Sequence, residues 1–65
     1  TLQRKLMTYF EYEALQHKSR SYTLSLSLSA LADYLCTDRS AMMREIRRLN
    51  EQGKLRTKGR SITLF

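Results

Sequence analysis

Four arginines, Arg39, Arg44, Arg47 and Arg48, fall in one short stretch of the chain, and Lys54, Arg56, Lys58 and Arg60 follow closely behind. A guanidinium group presents a planar fork of donors that matches phosphate oxygens or the O6 and N7 of guanine in pairs. Only Glu45 and Glu51 interrupt this run, so residues 39–65 hold eight cations against two carboxylates. Residues 1–38 balance four cations (Arg4, Lys5, Lys18, Arg20) with four carboxylates (Glu11, Glu13, Asp33, Asp38). The whole net charge of +6 therefore belongs to the second part of the chain. A local field of this kind attracts polyanions, either nucleic acid or an anionic membrane surface.

Other chemistry is sparsely represented. Cys36 is the single cysteine, which excludes an intrachain disulfide and a multi-thiolate zinc site, and it reads as a small turn residue rather than a redox sensor. His17 stands without a second imidazole or thiolate at ligand spacing and reads as a surface histidine. Neither a nucleophile–base pair, a carboxylate dyad nor a phosphate-cradling glycine loop is present, so no enzyme and no cofactor is expected. Tyr9, Phe10, Tyr12, Tyr22 and Tyr34 are spread over several elements rather than along one stacking platform, and packing in or beside the core is expected for them. At 65 residues the chain suits one small domain, which buries only about 60% of the surface its unfolded form exposes. No apolar run approaches the roughly 18 residues of a membrane span, and no secretory leader is legible.

The elements that must position the arginines follow from periodicity. Leu2, Leu6, Phe10 and Ala14 recur every fourth residue, which predicts an amphipathic helix of about four turns ending between His17 and Arg20. Tyr22, Leu24, Leu26 and Leu28 alternate with Thr23, Ser25 and Ser27, the pattern of a half-buried strand. The period then changes: Leu28, Leu31 and Leu35 predict a short helix capped by Ser27. Cys36-Thr37-Asp38 breaks that helix, and Asp38 caps a second one running from Arg39 to about Gln52, where Gly53 stops it. Projected at about 100° per residue, Met42, Ile46 and Leu49 form its apolar stripe. The opposite face displays Arg39, Ser40, Met43, Arg44, Arg47 and Arg48. Lys54 to Phe65 reads as a hairpin with Lys58-Gly59 at the turn and Leu55, Ile62 and Leu64 toward the core. The fold class is therefore α+β, a single domain over residues 1–65 with three helices, a short strand and a C-terminal two-stranded ribbon.

Arginines on an exposed helix are often merely solvated. Here the carboxylates that usually intersperse are few, and the hairpin adds four more cations; such a like-charged surface opposes folding unless a polyanion uses it.

The motif Leu26-Ser27-x-x-Ala30-Leu31-Ala32-x-x-Leu35, then Arg39-Ser40-x-x-x-Arg44-x-Ile46-x-x-Leu49-x-x-x-Gly53-x-Leu55, then Gly59-Arg60-x-Ile62-x-Leu64, resembles the C-terminal winged-helix domain of the CRP/FNR family of bacterial transcription regulators. The first helix fits the family's preceding helix more loosely. The resemblance implies a winged helix-turn-helix fold in which Arg39, Ser40 and Arg44 face base edges, Thr37 and Arg47 lie near phosphates, and the wing turn at Lys58 to Arg60 approaches the backbone. Ser27, on the helix laid over the backbone, and Arg48 join the phosphate contacts, and Met43 is placed to touch a thymine methyl. Three departures stand out. Cys36 replaces the usual turn glycine and forces a side chain into the turn. Asp38 replaces serine and brings a negative charge close to DNA. Ser40 replaces the glutamate of several members, so no consensus site transfers. The resemblance further implies a cytoplasmic output module of a larger regulator, dimeric through a region outside these residues, with double-stranded DNA and RNA polymerase as partners and no membrane.

Sequence-specific double-stranded DNA binding, with residues 39–52 in the major groove, is therefore the expected function. The alternative from a different class is a winged helix used as a protein–protein interaction module, which would show a neutral or apolar patch in place of the arginines. Double-stranded RNA is a weaker alternative, because its major groove is too deep and narrow for this helix.

Overall fold

Helix α1 spans Leu2–His17 in the computed structural model, which describes residues 1–65. Thr1 caps it by accepting a hydrogen bond from the Arg4 amide at 3.2 Å. Its four-residue stripe behaves as the spacing predicts, with Leu6, Phe10 and Ala14 buried. Strand β1 (Ser21–Thr23) follows, then α2 (Leu28–Tyr34), α3 (Arg39–Glu51), β2 (Leu55–Lys58) and β3 (Ser61–Leu64). The molecule is a small α+β domain of three helices on a three-stranded antiparallel sheet in the order β1-β3-β2.

All three helices end in one arrangement. A residue in the left-handed region follows each helix, and two bonds close over it: its own amide donates to the carbonyl three residues back, and the next amide donates to the carbonyl five residues back. At α1 these are Lys18 to Leu15 (3.2 Å) and Ser19 to Ala14 (3.1 Å). At α2 they are Cys36 to Asp33 (3.1 Å) and Thr37 to Ala32 (3.0 Å), and at α3 Gly53 to Asn50 and Lys54 to Leu49, both 3.1 Å. The left-handed residue is glycine only at α3 (φ 73); Lys18 (φ 54) and Cys36 (φ 58) hold the same conformation with a Cβ.

The strand is shorter than the alternation from Tyr22 to Leu28 predicts. Tyr22 and Leu24 are buried and the Leu24 amide still donates to the Arg60 carbonyl at 2.8 Å. Beyond that point the Ser25 amide and hydroxyl both donate to Glu13, at 3.2 and 2.8 Å. This draws the chain off the sheet, so Leu26 ends half-buried in a bend and Leu28 begins α2. The hairpin turn is also shifted by one residue from the expected Lys58-Gly59. Lys58 pairs with Ser61, which leaves Gly59-Arg60 as the two-residue loop. Gly59 takes φ 59 in the first position, as glycine does in a type II′ hairpin.

One core joins the layers. The directly opposed pairs Tyr22–Ile62 and Leu55–Leu64 turn their side chains inward against Leu6 and Phe10 of α1, Leu31 and Leu35 at α2, and Met42, Ile46 and Leu49 of α3. The Tyr22 hydroxyl donates to the Phe10 carbonyl at 2.6 Å and ties the sheet to α1. Burial of its ring pushes the Tyr22 phenol well above its ordinary pKa. Of the other aromatic residues, Tyr9 is half-buried, but Tyr12 and Tyr34 lie on the surface, contrary to their expected packing. No helix is long and apolar enough to cross a membrane.

Candidate functional site

Helices α2 and α3 are joined by Cys36, Thr37 and Asp38, and the joint is fixed at both ends. The left-handed Cys36 closes α2. Asp38 opens α3, its carboxylate accepting from the Ala41 amide at 2.6 Å. Ser27 does the same for α2, accepting from Ala30 at 3.1 Å. Both caps satisfy amides that otherwise lack an intrahelical partner. With Met42, Ile46 and Leu49 buried, the helical phase of α3 is set, and Arg39, Ser40, Met43, Arg44, Arg47 and Arg48 all emerge on its exposed face.

These side chains are not equivalent. Arg48 donates to Glu45 at 2.5 Å, so Glu45 offsets one arginine that the bare sequence leaves unpaired; its three-residue spacing is the legible sign. Arg39 reaches back to the Ser29 hydroxyl of α2 at 3.4 Å. Arg44 and Arg47 have no side-chain hydrogen bond or ion pair within the chain and leave all their donors exposed. Met43 is the exposed apolar residue among them.

The sheet is locked to α3 by a residue that periodicity does not single out. The Asn50 amide group donates to the Ile46 carbonyl (2.8 Å) and the Thr57 hydroxyl (3.1 Å), while its oxygen accepts from the Thr57 amide at 3.0 Å. Thr57 lies on the edge strand β2, whose outward amide would otherwise want a partner. The ribbon is thereby held in a fixed relation to α3.

The remaining candidates are more scattered. Thr37 is half-buried in the joint. Lys58 is exposed at the ribbon tip. Arg60 is partly engaged: its guanidinium donates to the Leu24 carbonyl at 2.7 Å while its own carbonyl accepts from Leu24. It anchors the tip to the end of β1 as well as contributing charge. Arg56 lies 5.5 Å from the centre of the Phe65 ring, a cation–π contact.

A second polar group lies inside the molecule, away from α3. Glu13 is buried, and its Oε1 accepts from Ser25 and meets His17 Nε2 at 3.2 Å. Its Oε2 has no donor in hydrogen-bond geometry, although the Tyr9 hydroxyl is close enough to stabilise the charge. Burial pushes this carboxyl up, but Tyr9, Ser25 and His17 outweigh it and leave it below its ordinary pKa. His17 also stacks on Tyr22, with ring centres 4.9 Å apart. Glu13 continues the Phe10 stripe at helical spacing, the sign that it faces inward, and His17, one turn further on, is exposed at the helix end, the surface position expected of it.

Comparison with known proteins yields no matching family model, no matching curated protein and no matching solved structure.

Proposed function

We propose that the chain is a winged helix-turn-helix domain that binds double-stranded DNA sequence-specifically, as the output module of a regulator of CRP/FNR type. In this reading α3 enters the major groove, α2 rests over the sugar-phosphate backbone, and the β2–β3 ribbon is the wing. The observation that carries it is the unpaired state of Arg44 and Arg47 on a helix face that is already strongly cationic. Leaving such groups together opposes folding through self-repulsion, and a polyanion relieves it. A B-form major groove of about 12 Å admits a helix, and Arg44, midway along α3, is suited to the O6 and N7 of guanine. Arg39, Ser40 and Met43 would complete the base-facing set, with Arg47, Arg48, Thr37, Ser27, Lys58 and Arg60 at phosphates. Arg48 and Arg60 must share themselves with Glu45 and Leu24. Two joined copies would read half-sites about 34–36 Å apart. No catalytic step is proposed.

Arg44 and Arg47 separate base reading from phosphate binding. Arg44→Ala is expected to cost about 1–3 kcal/mol and relax the preference at one base position, whereas Arg47→Ala weakens all sequences alike and lowers the salt slope by about one unit. Fluorescence anisotropy on duplex panels at several salt concentrations measures both. Equal effects of the two substitutions on every duplex would refute the division.

A further inference from the structure

Tyr12, Leu15 and Tyr34 are 56%, 76% and 66% exposed, and all three lie on the side of the molecule formed by the outer face of α1 and the end of α2. On α1, Tyr12 and Leu15 stand opposite the buried Leu6–Phe10–Ala14 stripe. Tyr34 comes alongside through Tyr9, whose ring centre is 5.4 Å from that of Tyr34 and 6.3 Å from that of Tyr12. Between them runs an open groove of about 580 Å³, floored by Leu35 and flanked by Arg4 and Lys5. A more open depression bordered by Met7, Tyr12 and Leu15 lies beside it, across the row formed by Arg4, Thr8 and Tyr12. Clustering of large apolar side chains in one patch marks a docking surface, where scattered ones would not.

We propose that this face docks an acidic amphipathic helix of a protein partner. Charge selects the occupant. Arg4 and Lys5 have no ion-pair partner, whereas Glu11, the carboxylate of this face, is already held by Arg20 at 2.5 and 3.1 Å. A second copy of the chain is disfavoured in either orientation. Parallel pairing of two α1 helices sets Arg4 and Lys5 against themselves, and in antiparallel pairing Glu11, the carboxylate that the copy brings near them, is already held by Arg20. Shape selects a helix over a lipid surface. The site is an open groove between the first three turns of α1 and the end of α2, which takes a ridge of side chains spaced i, i+3/i+4, i+7. None of Arg39, Arg44, Arg47 and Arg48 lines the groove or the depression beside it. Partner and polyanion are therefore compatible on one molecule, and the proposal stands whether or not the polyanion is DNA.

Panning a displayed helical-peptide library, randomised along one face, against the 65-residue chain tests this. The expected result is enrichment of peptides with Leu or aromatic anchors at i, i+3/i+4 and i+7 beside Asp and Glu. Their synthetic versions should bind about tenfold more weakly to Arg4→Glu and to Leu15→Ser, both surface substitutions whose melting curves should match the parent. Nuclear magnetic resonance shifts should map to Arg4–Leu15 and Tyr34. Failure to enrich, enrichment without acidic residues, or binding indifferent to both variants would overturn the proposal. So would sedimentation showing a dimer abolished by Leu15→Ser, which assigns the face to a second copy, or Leu15-dependent flotation with anionic phosphatidylserine vesicles, which assigns it to lipid.

Discussion

At Cys36 the backbone turns left-handed with φ 58, a conformation in which a Cβ crowds the following carbonyl. Left-handed geometry costs an L-residue roughly 1–2 kcal/mol, and glycine gives back part of that through its greater freedom when unfolded. Cys36→Gly is expected to stabilise by about 0.5–1 kcal/mol, raising the melting temperature by a few degrees; a lower melting temperature would contradict the strain. Glu13 gives the second residue-level expectation. Its carboxyl is held below its ordinary pKa, so in the interval between the two values the unfolded chain binds the extra proton. Stability from this group is present above the ordinary carboxylate range and is lost as pH falls through the lowered value. Melting followed from pH 6 downward should show this loss, and Glu13→Gln should flatten it.

The helices depend on stripes and caps. Leu49 is fully buried, and Leu49→Ala is expected to cost about 2–5 kcal/mol in chemical denaturation; an unchanged midpoint would place α3 in a different helical phase. Asp38→Ala should cost about 0.5–2 kcal/mol and loosen the first turn, where Arg39 and Ser40 sit. Much of this level was legible in the sequence, because Ser27, Asp38 and Gly53 announce helix ends and the stripes announce helix phase. What was not legible is tertiary in origin. The alternation through Leu26 and Leu28 imitates a strand, and only the bonds from Ser25 to Glu13 show where the chain leaves the sheet. The hairpin register follows from the pairing of Lys58 with Ser61, which local sequence leaves open by one residue. In the site, the outward arginines of α3 were readable from helical phase, but not the bond of Arg39 to Ser29, nor that of the loop residue Arg60 to Leu24. Nor was the Asn50–Thr57 clamp, which depends on two elements meeting.

For the whole molecule, the charge of +6 is a property of one region: residues 1–38 are neutral, and α3 with its ribbon carries the excess. That separation leaves the aromatic groove, lined only by residues of the neutral part, apart from the cationic residues of α3 and the ribbon. If Arg47, Arg48, Lys58 and Arg60 each meet a phosphate, the logarithm of affinity should fall with the logarithm of salt at a slope of about −4 per domain. The central claim is sequence-specific reading of duplex DNA by α3. Selection from randomised duplexes, with the chain fused to a dimerising segment, tests it most directly. The expected result is enrichment of near-palindromic sites whose preference relaxes at one base pair per half-site in Arg44→Ala. Recovery of no preferred duplex by the parent, or of the same sites unchanged by Arg44→Ala, would contradict it.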